Sequence, residues 1–160
     1  MRATVARTGA IRRARPAEAG LLSALAFRSK AAWGYDRAFM ARCRAELTIS
    51  SDQVRARPVY VWTEAGRVLG LYALRPKGDV VEIDHLWVAP EALRRGIGRA
   101  LLHHLRQEAF RLGAMRVGVS ADPNAEGFYL RLGFSRMGTR PSGSIPGRHL
   151  PYLELVLDAV

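Results

Sequence analysis

Apolar positions recur along this chain in two rhythms, one of three to four residues and one of two, and the switches between them mark its elements. Ala10 to Arg15 predicts a strand, and Pro16, Ala17 and Glu18 open a helix with proline and an acid in the first turn, carrying Leu21, Leu22, Leu25 and Phe27. Lys30 to Asp36 breaks it at Gly34. Asp36 then caps a second helix, in which Phe39, Met40, Cys43 and Leu47 recur at helical spacing. Pro58 to Trp62 and Val68 to Leu74, rich in β-branched and aromatic residues, flank the turn Glu64-Ala65-Gly66 as a hairpin. Val80 to Val88 extends this meander as a third strand. Strict alternation along it puts Glu82 and Asp84 on one side and Val81, Ile83, His85 and Trp87 on the other. Beyond Pro90, Ile97, Leu101, Leu105, Ala109 and Leu112 form the stripe of a long helix that stops at Gly113. Met115 to Ser120 is a strand, Ala125 to Leu132 a short helix ended by Gly133, and Phe134 to Thr139 and Pro151 to Leu157 are strands flanking a Pro/Gly/Ser loop.

Strand, long helix and strand with short joints make a right-handed crossover, so the two strands run parallel and the helix starts at their carboxyl ends. The pattern predicts a mixed α/β fold. Its 160 residues suit one domain, 1–160, with Met1 to Gly9 as a loose tail.

Charge narrows the partners. The 25 Lys plus Arg, of which only Lys30 and Lys77 are lysines, exceed 14 Asp plus Glu and leave +11. That balance favours anionic partners without specifying one, since nucleic acid and a phosphorylated small molecule are attracted alike. One cysteine, Cys43, forbids an internal disulfide and suits a reducing cytoplasm. The longest apolar stretch, Gly20 to Phe27, is far below the ~20 residues that span a bilayer, so no membrane segment is expected. His103 and His104 are adjacent and cannot form a helical metal pair, and no metal is assigned.

The segment Arg94 to Ala100, RRGIGRA, falls where loop becomes long helix. Gly96 and Gly98 lack Cβ, so an anion can approach the main chain, while the helix dipole and Arg94, Arg95 and Arg99 add positive potential. Without a ligand the same segment is simply a glycine-rich helix start. A nucleotide-binding P-loop needs Lys-Ser/Thr after the last glycine, where Arg99 and Ala100 stand. A dinucleotide fingerprint needs glycines directly after the strand, but Ala89 to Arg95 intervene.

These residues resemble the GNAT superfamily of acyl-CoA-dependent N-acetyltransferases, whose signature is Gln/Arg-x-x-Gly-x-Gly/Ala between a strand and a helix. Leu86-Trp87-Val88 with Pro90-Glu91 is similar to the family's fourth strand and its connection. Ala125-x-x-Phe128-Tyr129-x-x-x-Gly133-Phe134 is similar to its later tyrosine motif. Two positions depart: Leu93 stands at the Gln/Arg position, and Asp122 replaces the asparagine before the motif's alanine, with Asn124 as a nearby substitute or a helix cap. The resemblance implies a GNAT fold, a twisted mixed sheet of six to seven strands with helices on both faces, parted between two parallel strands to admit acetyl-CoA as co-substrate. It implies the diphosphate on the main chain from Arg94 through Gly96, Ile97 and Gly98 to Ala100, the pantetheine arm along Leu86, Trp87 and Val88, and Phe128 and Asn124 close by. Two copies pairing through an edge strand are compatible with such a fold.

The implied reaction is direct acetyl transfer to a primary amine of a small molecule, with no covalent enzyme intermediate. An alkyl amine with pKa near ~10.4 costs about 4.6 kcal/mol to neutralise at pH 7, so a base helps. Glu82 is preferred, directly or through a water, with Asp84 beside it, and solvated surface carboxylates are the bland reading of both. His85, on the opposite parity, is read as packed. Tyr129 matches the family's general acid for the departing thiolate, or else fills the core beside Phe128 and Phe134. For the acceptor pocket the resemblance offers Trp33, Tyr35, Arg140 and Arg148, an aromatic wall with arginines that would suit an acidic or planar amine. A basic nucleic-acid-binding module and an acyl-CoA sensor without chemistry are the alternatives.

Overall fold

Seven strands form one mixed sheet in the order β1-β2-β3-β4-β5-β7-β6 in the computed structural model, which describes residues 9–158. Residues 1–8 of the expected tail lie outside the described residues. The strands are β1 (Ala10–Arg13), β2 (Val59–Glu64), β3 (Arg67–Lys77), β4 (Val80–Val88), β5 (Arg116–Ser120), β6 (Ser135–Pro141) and β7 (His149–Val156). The helices are α1 (Ala19–Ala31), α2 (Arg37–Leu47), α3 (Ser51–Ala56), α4 (Ile97–Arg111) and α5 (Glu126–Arg131).

Every strand and helix read from the sequence is present, with local differences. β1 ends at Arg13, and Pro16–Glu18 is a 3-10 turn before α1. Asp36 caps α2, its Oδ1 accepting the Phe39 amide at 2.8 Å. The helix α3 was not expected, although Ser50 and Gln53 form a reciprocal capping box, with the Gln53 amide donating to the Ser50 hydroxyl and the Ser50 amide to the Gln53 side chain. Leu112, placed on the buried stripe of α4, is 41% exposed because it lies past the last turn, beside the left-handed Gly113.

The helices cover both faces. Gly70 and Tyr72 of β3 face α4: a Cβ on Gly70 would meet the Leu101 side chain at 2.9 Å, and the Tyr72 hydroxyl pairs with His104 Nδ1 at 2.7 Å. The opposite face meets α1, whose Ser29 hydroxyl donates to the Val88 carbonyl at 2.9 Å. Leu22, Leu25, Leu71, Leu74, Val81, Leu101, Leu105, Val117 and Leu153 are buried in the main core. Ala26, Met40, Cys43 and Leu47 make a smaller one between α1 and α2. No helix among the described residues is long and apolar enough to cross a membrane.

Two irregularities in the sheet shape its central strands. β4 and β5 pair in parallel only at Val80↔Arg116, Val81↔Val117 and Glu82↔Gly118. Beyond Glu82 they part, β4 staying with β3 while Val119 and Ser120 stay with β7. The second is a bulge: Ala73 pairs with His85 and Leu74 with Ile83, so Asp84 is the extra residue on β4.

Candidate active site

The Asp84 bulge overturns the alternation expected for β4. Directly opposed residues of antiparallel strands share a face, so Glu82 opposite Arg75, His85 opposite Ala73 and Trp87 opposite Leu71 all point to one side. His85, read as packed on the other parity, therefore lines the same cleft as Glu82, Asp84 and Trp87. This cleft of about 460 Å3 runs over β3 and β4 beneath the segment joining α2 and α3, and Lys30, Glu46, Gln53, Arg57, Arg75 and Asp122 also line it.

Glu82 is buried and both its oxygens are held, Oε2 by Arg75 at 2.8 Å and Oε1 by Arg140 at 2.9 Å. Arg140 reaches it from β6 across two strands. Its guanidinium lies 3.5 Å from the centre of the Tyr152 ring, which covers Gly118, where a Cβ would come within 2.5 Å of the Tyr152 hydroxyl. Asp84 is held by Arg57 at 3.1 Å and by Arg75 at 3.2 Å. Burial pushes His85 down to about 4 against the upward pull of Asp84, so its imidazole is neutral at pH 7. Trp87 Nε1 donates to His85 Nδ1 at 3.1 Å, which leaves the ring's proton on Nε2.

The acceptor candidates separate. Trp33, 40% exposed, tilts against Trp87 with ring centres 5.9 Å apart, but neither it nor Tyr35 lines the cleft. Tyr35 stacks on Phe39, donates to Asp122 at 2.9 Å, and accepts from Arg148 at 2.8 Å and Asn124 at 3.1 Å. Lys30 joins the same buried Asp122 at 3.0 Å. Burial alone would raise the Asp122 carboxyl, but the Asn124 amide, Lys30 and Tyr35 hold it below the ordinary aspartate value. This cluster ties the α1–α2 junction to the β6–β7 loop. Arg148 and the Asn124 side chain are engaged within it rather than free for a ligand.

The parted strands form the other half of the site. Ala89 N–H donates to Leu69 O, so ladder alternation turns the main-chain groups of Trp87 and His85 toward β3 and leaves those of Leu86 and the Val88 amide on the open edge, the Val88 carbonyl being held by Ser29. Gly96, at φ +83, caps α4 without a side-chain bond, and Arg94 also takes a left-handed φ of 61. Among the described residues no hydrogen bond engages the amides of Arg94 to Arg99, whereas the Ala100 amide already donates to Gly96 O at 3.0 Å. Arg95 is turned to Glu64 at 2.5 Å. Phe128 closes the far side: a Cβ on Gly98 would touch its ring at 3.5 Å and Val88 at 3.6 Å. Open amides at a helix start beside an open strand edge fit a diphosphate on an extended arm.

Tyr129 is 5% exposed, edge-on to Phe128 and Phe134, and is not on the wall of the large cleft. Burial raises its phenol further above the usual value, and no hydrogen bond engages the hydroxyl. Arg57, Arg75, Lys30 and His85 were not anticipated. Nothing in sequence distinguishes these arginines from the rest, and only the bulge brings His85 round. Among the described residues no group of three or more His, Cys, Asp or Glu side chains could hold a metal ion.

The acetyltransferase (GNAT) family model matches residues 26–134. The fold is similar to PaiA N-acetyltransferase from Thermoplasma acidophilum, solved in complex with coenzyme A, at TM-score 0.77 and 16% identity over 93% of this chain and 99% of that one. It is also similar to a GCN5-related N-acetyltransferase from Rhodopseudomonas palustris, at 0.75 and 23% over 94% and 96%. A putative acetyltransferase, yncA, from Salmonella typhimurium with acetyl-CoA matches at 0.68 and 24% over 96% of each chain.

Proposed function

The chain belongs to the GNAT acetyltransferase family, and from that premise we propose that it transfers an acetyl group directly from acetyl-CoA to the amine of a small molecule, as one catalytic domain. Two solved structures of like fold hold coenzyme A or acetyl-CoA, which supports that donor. One observation carries the reading: β4 leaves β5 immediately beyond Glu82, so the opening between the strands has a buried carboxylate at its foot and the unengaged amides of Arg94 to Arg99 above.

Acetyl-CoA supplies a thioester whose acyl carbon accepts the amine nitrogen while the C–S bond breaks and its electron pair leaves on sulfur. The α4 start binds the diphosphate through backbone N–H groups. The Leu86 and Val88 main chain lies along the arm. Glu82, at the cleft floor, takes the proton the amine gives up as its nitrogen forms the new bond, directly or through a water, and Asp84 shares the Arg75 guanidinium with it. The hydroxyl of Tyr129 stabilises the departing sulfur. A thiol near pKa ~8.5 is a stronger acid than an ordinary phenol near ~10, and burial raises Tyr129 further, so a donated hydrogen bond is favoured over full proton transfer. His85, neutral with its proton on Nε2, is a donor lining the acceptor side.

The basic nucleic-acid-binding alternative retains only the net charge in its support. The test is titration calorimetry with acetyl-CoA followed by thiol release with a panel of amines. Binding with turnover is expected. No heat on titration, or binding without thiol release from any amine, would overturn the reading, the second outcome favouring an acyl-CoA sensor.

A further inference from the structure

The charge at the cleft floor does not balance. Three guanidiniums, from Arg57, Arg75 and Arg140, surround two carboxylates, Glu82 and Asp84, leaving one positive charge in excess. Arg57 and Arg75 line the cleft with side chains 37% and 42% exposed. Each guanidinium carries five N–H groups. Arg57 uses one of its nitrogens on Asp84, and Arg75 uses Nε on Asp84 and Nη2 on Glu82. Among the described residues nothing else engages their side chains. The unengaged N–H groups of two such forks, in a partly buried cleft, are a receptor for a planar monoanion.

The rest of the cleft agrees. Lys30 at 3.0 Å and Arg148 at 3.6 Å share the one Asp122 carboxylate, so this end of the cleft adds no net negative charge. Glu46, the one lining carboxylate outside any ion pair among the described residues, stands beside Gly143, where a Cβ would collide with its Oε1, and not within ion-pair range of Arg57 or Arg75. Leu47, Ile49 and Val59 add an apolar wall. At about 460 Å3 the space is that of a single small ligand.

We propose that the acceptor is a compact amine carrying a carboxylate, a free amino acid in the simplest case, and that Arg57 and Arg75 hold its carboxylate beside Glu82 while the amine faces Glu82 itself. Arg75 sets the span. It touches both Glu82 and Asp84, so a carboxylate on its free N–H groups sits close to Glu82, which favours a short spacing between nitrogen and carboxylate, as in an α- or β-amino acid. The proposal rests on direct acetyl transfer from acetyl-CoA, with the same bond made to nitrogen and the same bond broken at sulfur. A site built to hydrogen-bond one group discriminates strongly against analogues lacking it, because its polar atoms are left unpaired.

The experiment compares thiol release from acetyl-CoA with matched acceptors: an amino acid, its amide, its decarboxylated amine and a short peptide beginning with it. The expected result is a kcat/KM for the free amino acid roughly 10- to 100-fold above the others. In Arg57→Gln that ratio should fall toward one, and Arg57→Lys should restore part of it. A thermal melt and acetyl-CoA calorimetry establish that each variant is folded. Should Arg57→Gln fail to fold, the wild-type comparison alone still decides. Amines, amides or peptides used as well as the amino acid would overturn this inference and leave the acetyltransferase standing. Acetyl-CoA bound with no thiol released by any acceptor would overturn both.

Discussion

Two single residues concentrate the chemistry, and each makes a prediction of opposite kind. Tyr129 is 5% exposed, and among the described residues no hydrogen bond engages its hydroxyl. Its phenol stays protonated throughout the working range, so in the proposed reaction it acts as a hydrogen-bond donor. Tyr129→Phe is therefore expected to lower kcat by roughly 10- to 100-fold while the calorimetric affinity for acetyl-CoA stays near wild type, and an unchanged kcat would reject the role. His85 is a matter of stability. Its folded value of about 4 lies below the ordinary 6.5, so the unfolded chain binds the proton more readily. The stabilisation is full above pH 6.5 and is lost as pH falls toward 4, by at most about 3 kcal/mol. His104, lowered chiefly by burial, adds to the same trend. His85→Gln should flatten the fall in melting temperature between pH 6.5 and 4, and equal slopes in variant and parent would contradict the assignment.

At the scale of elements, the start of α4 is where packing and function make separable demands. A Cβ on Gly98 would meet Phe128 and Val88 only at ordinary contact distances, so the protein's own packing does not require glycine there. Alanine is the better helix former by about 1 kcal/mol. Gly98→Ala is thus expected to hold or raise the melting temperature while weakening acetyl-CoA at least roughly tenfold by crowding the amides, and undiminished affinity on calorimetry would remove the glycine turn from the donor site. That turn was legible because its signals are local: two glycines, an apolar helical stripe behind them and a β-branched strand ahead. The hairpin and the Asp36 cap were legible for the same reason. The Asp84 bulge was not, because nothing in VVEIDHLWV says which residue is the extra one; the pairing with β3 decides it, and with it the side on which His85 and Trp87 stand. The partners of Glu82 were hidden by distance, since Arg140 arrives 58 residues later across two strands. The helix α3 was within reach, as Ser50 and Gln53 stand at capping-box spacing, but its six residues are too few for an apolar stripe.

Over the whole molecule, the surplus of positive charge has a definite distribution. Most carboxylates are engaged in ion pairs, including Glu82, Asp84 and Asp122 in the cleft over β3 and β4 and Glu64 with Arg95 near the glycine turn. What remains of the +11 is carried mostly on exposed arginines, and Arg94 and Arg99, both outside any ion pair among the described residues, flank the open amides at the start of α4. Such a field acts on encounter more than on the bound state. It reaches about 10 Å at 0.1 M ionic strength and less as salt rises, whereas the part-buried pairs in the cleft are screened far less. For a donor bearing several phosphates, kcat/KM for acetyl-CoA should fall by roughly tenfold between low salt and ~0.3 M, with kcat almost constant. Replacing Arg94 and Arg99 together by Ala should halve that slope and leave kcat in place. If instead kcat falls with salt while the slope in kcat/KM is no steeper, the sensitive charges are those holding Glu82 and Asp84, and the surface arginines have no part in drawing in the donor.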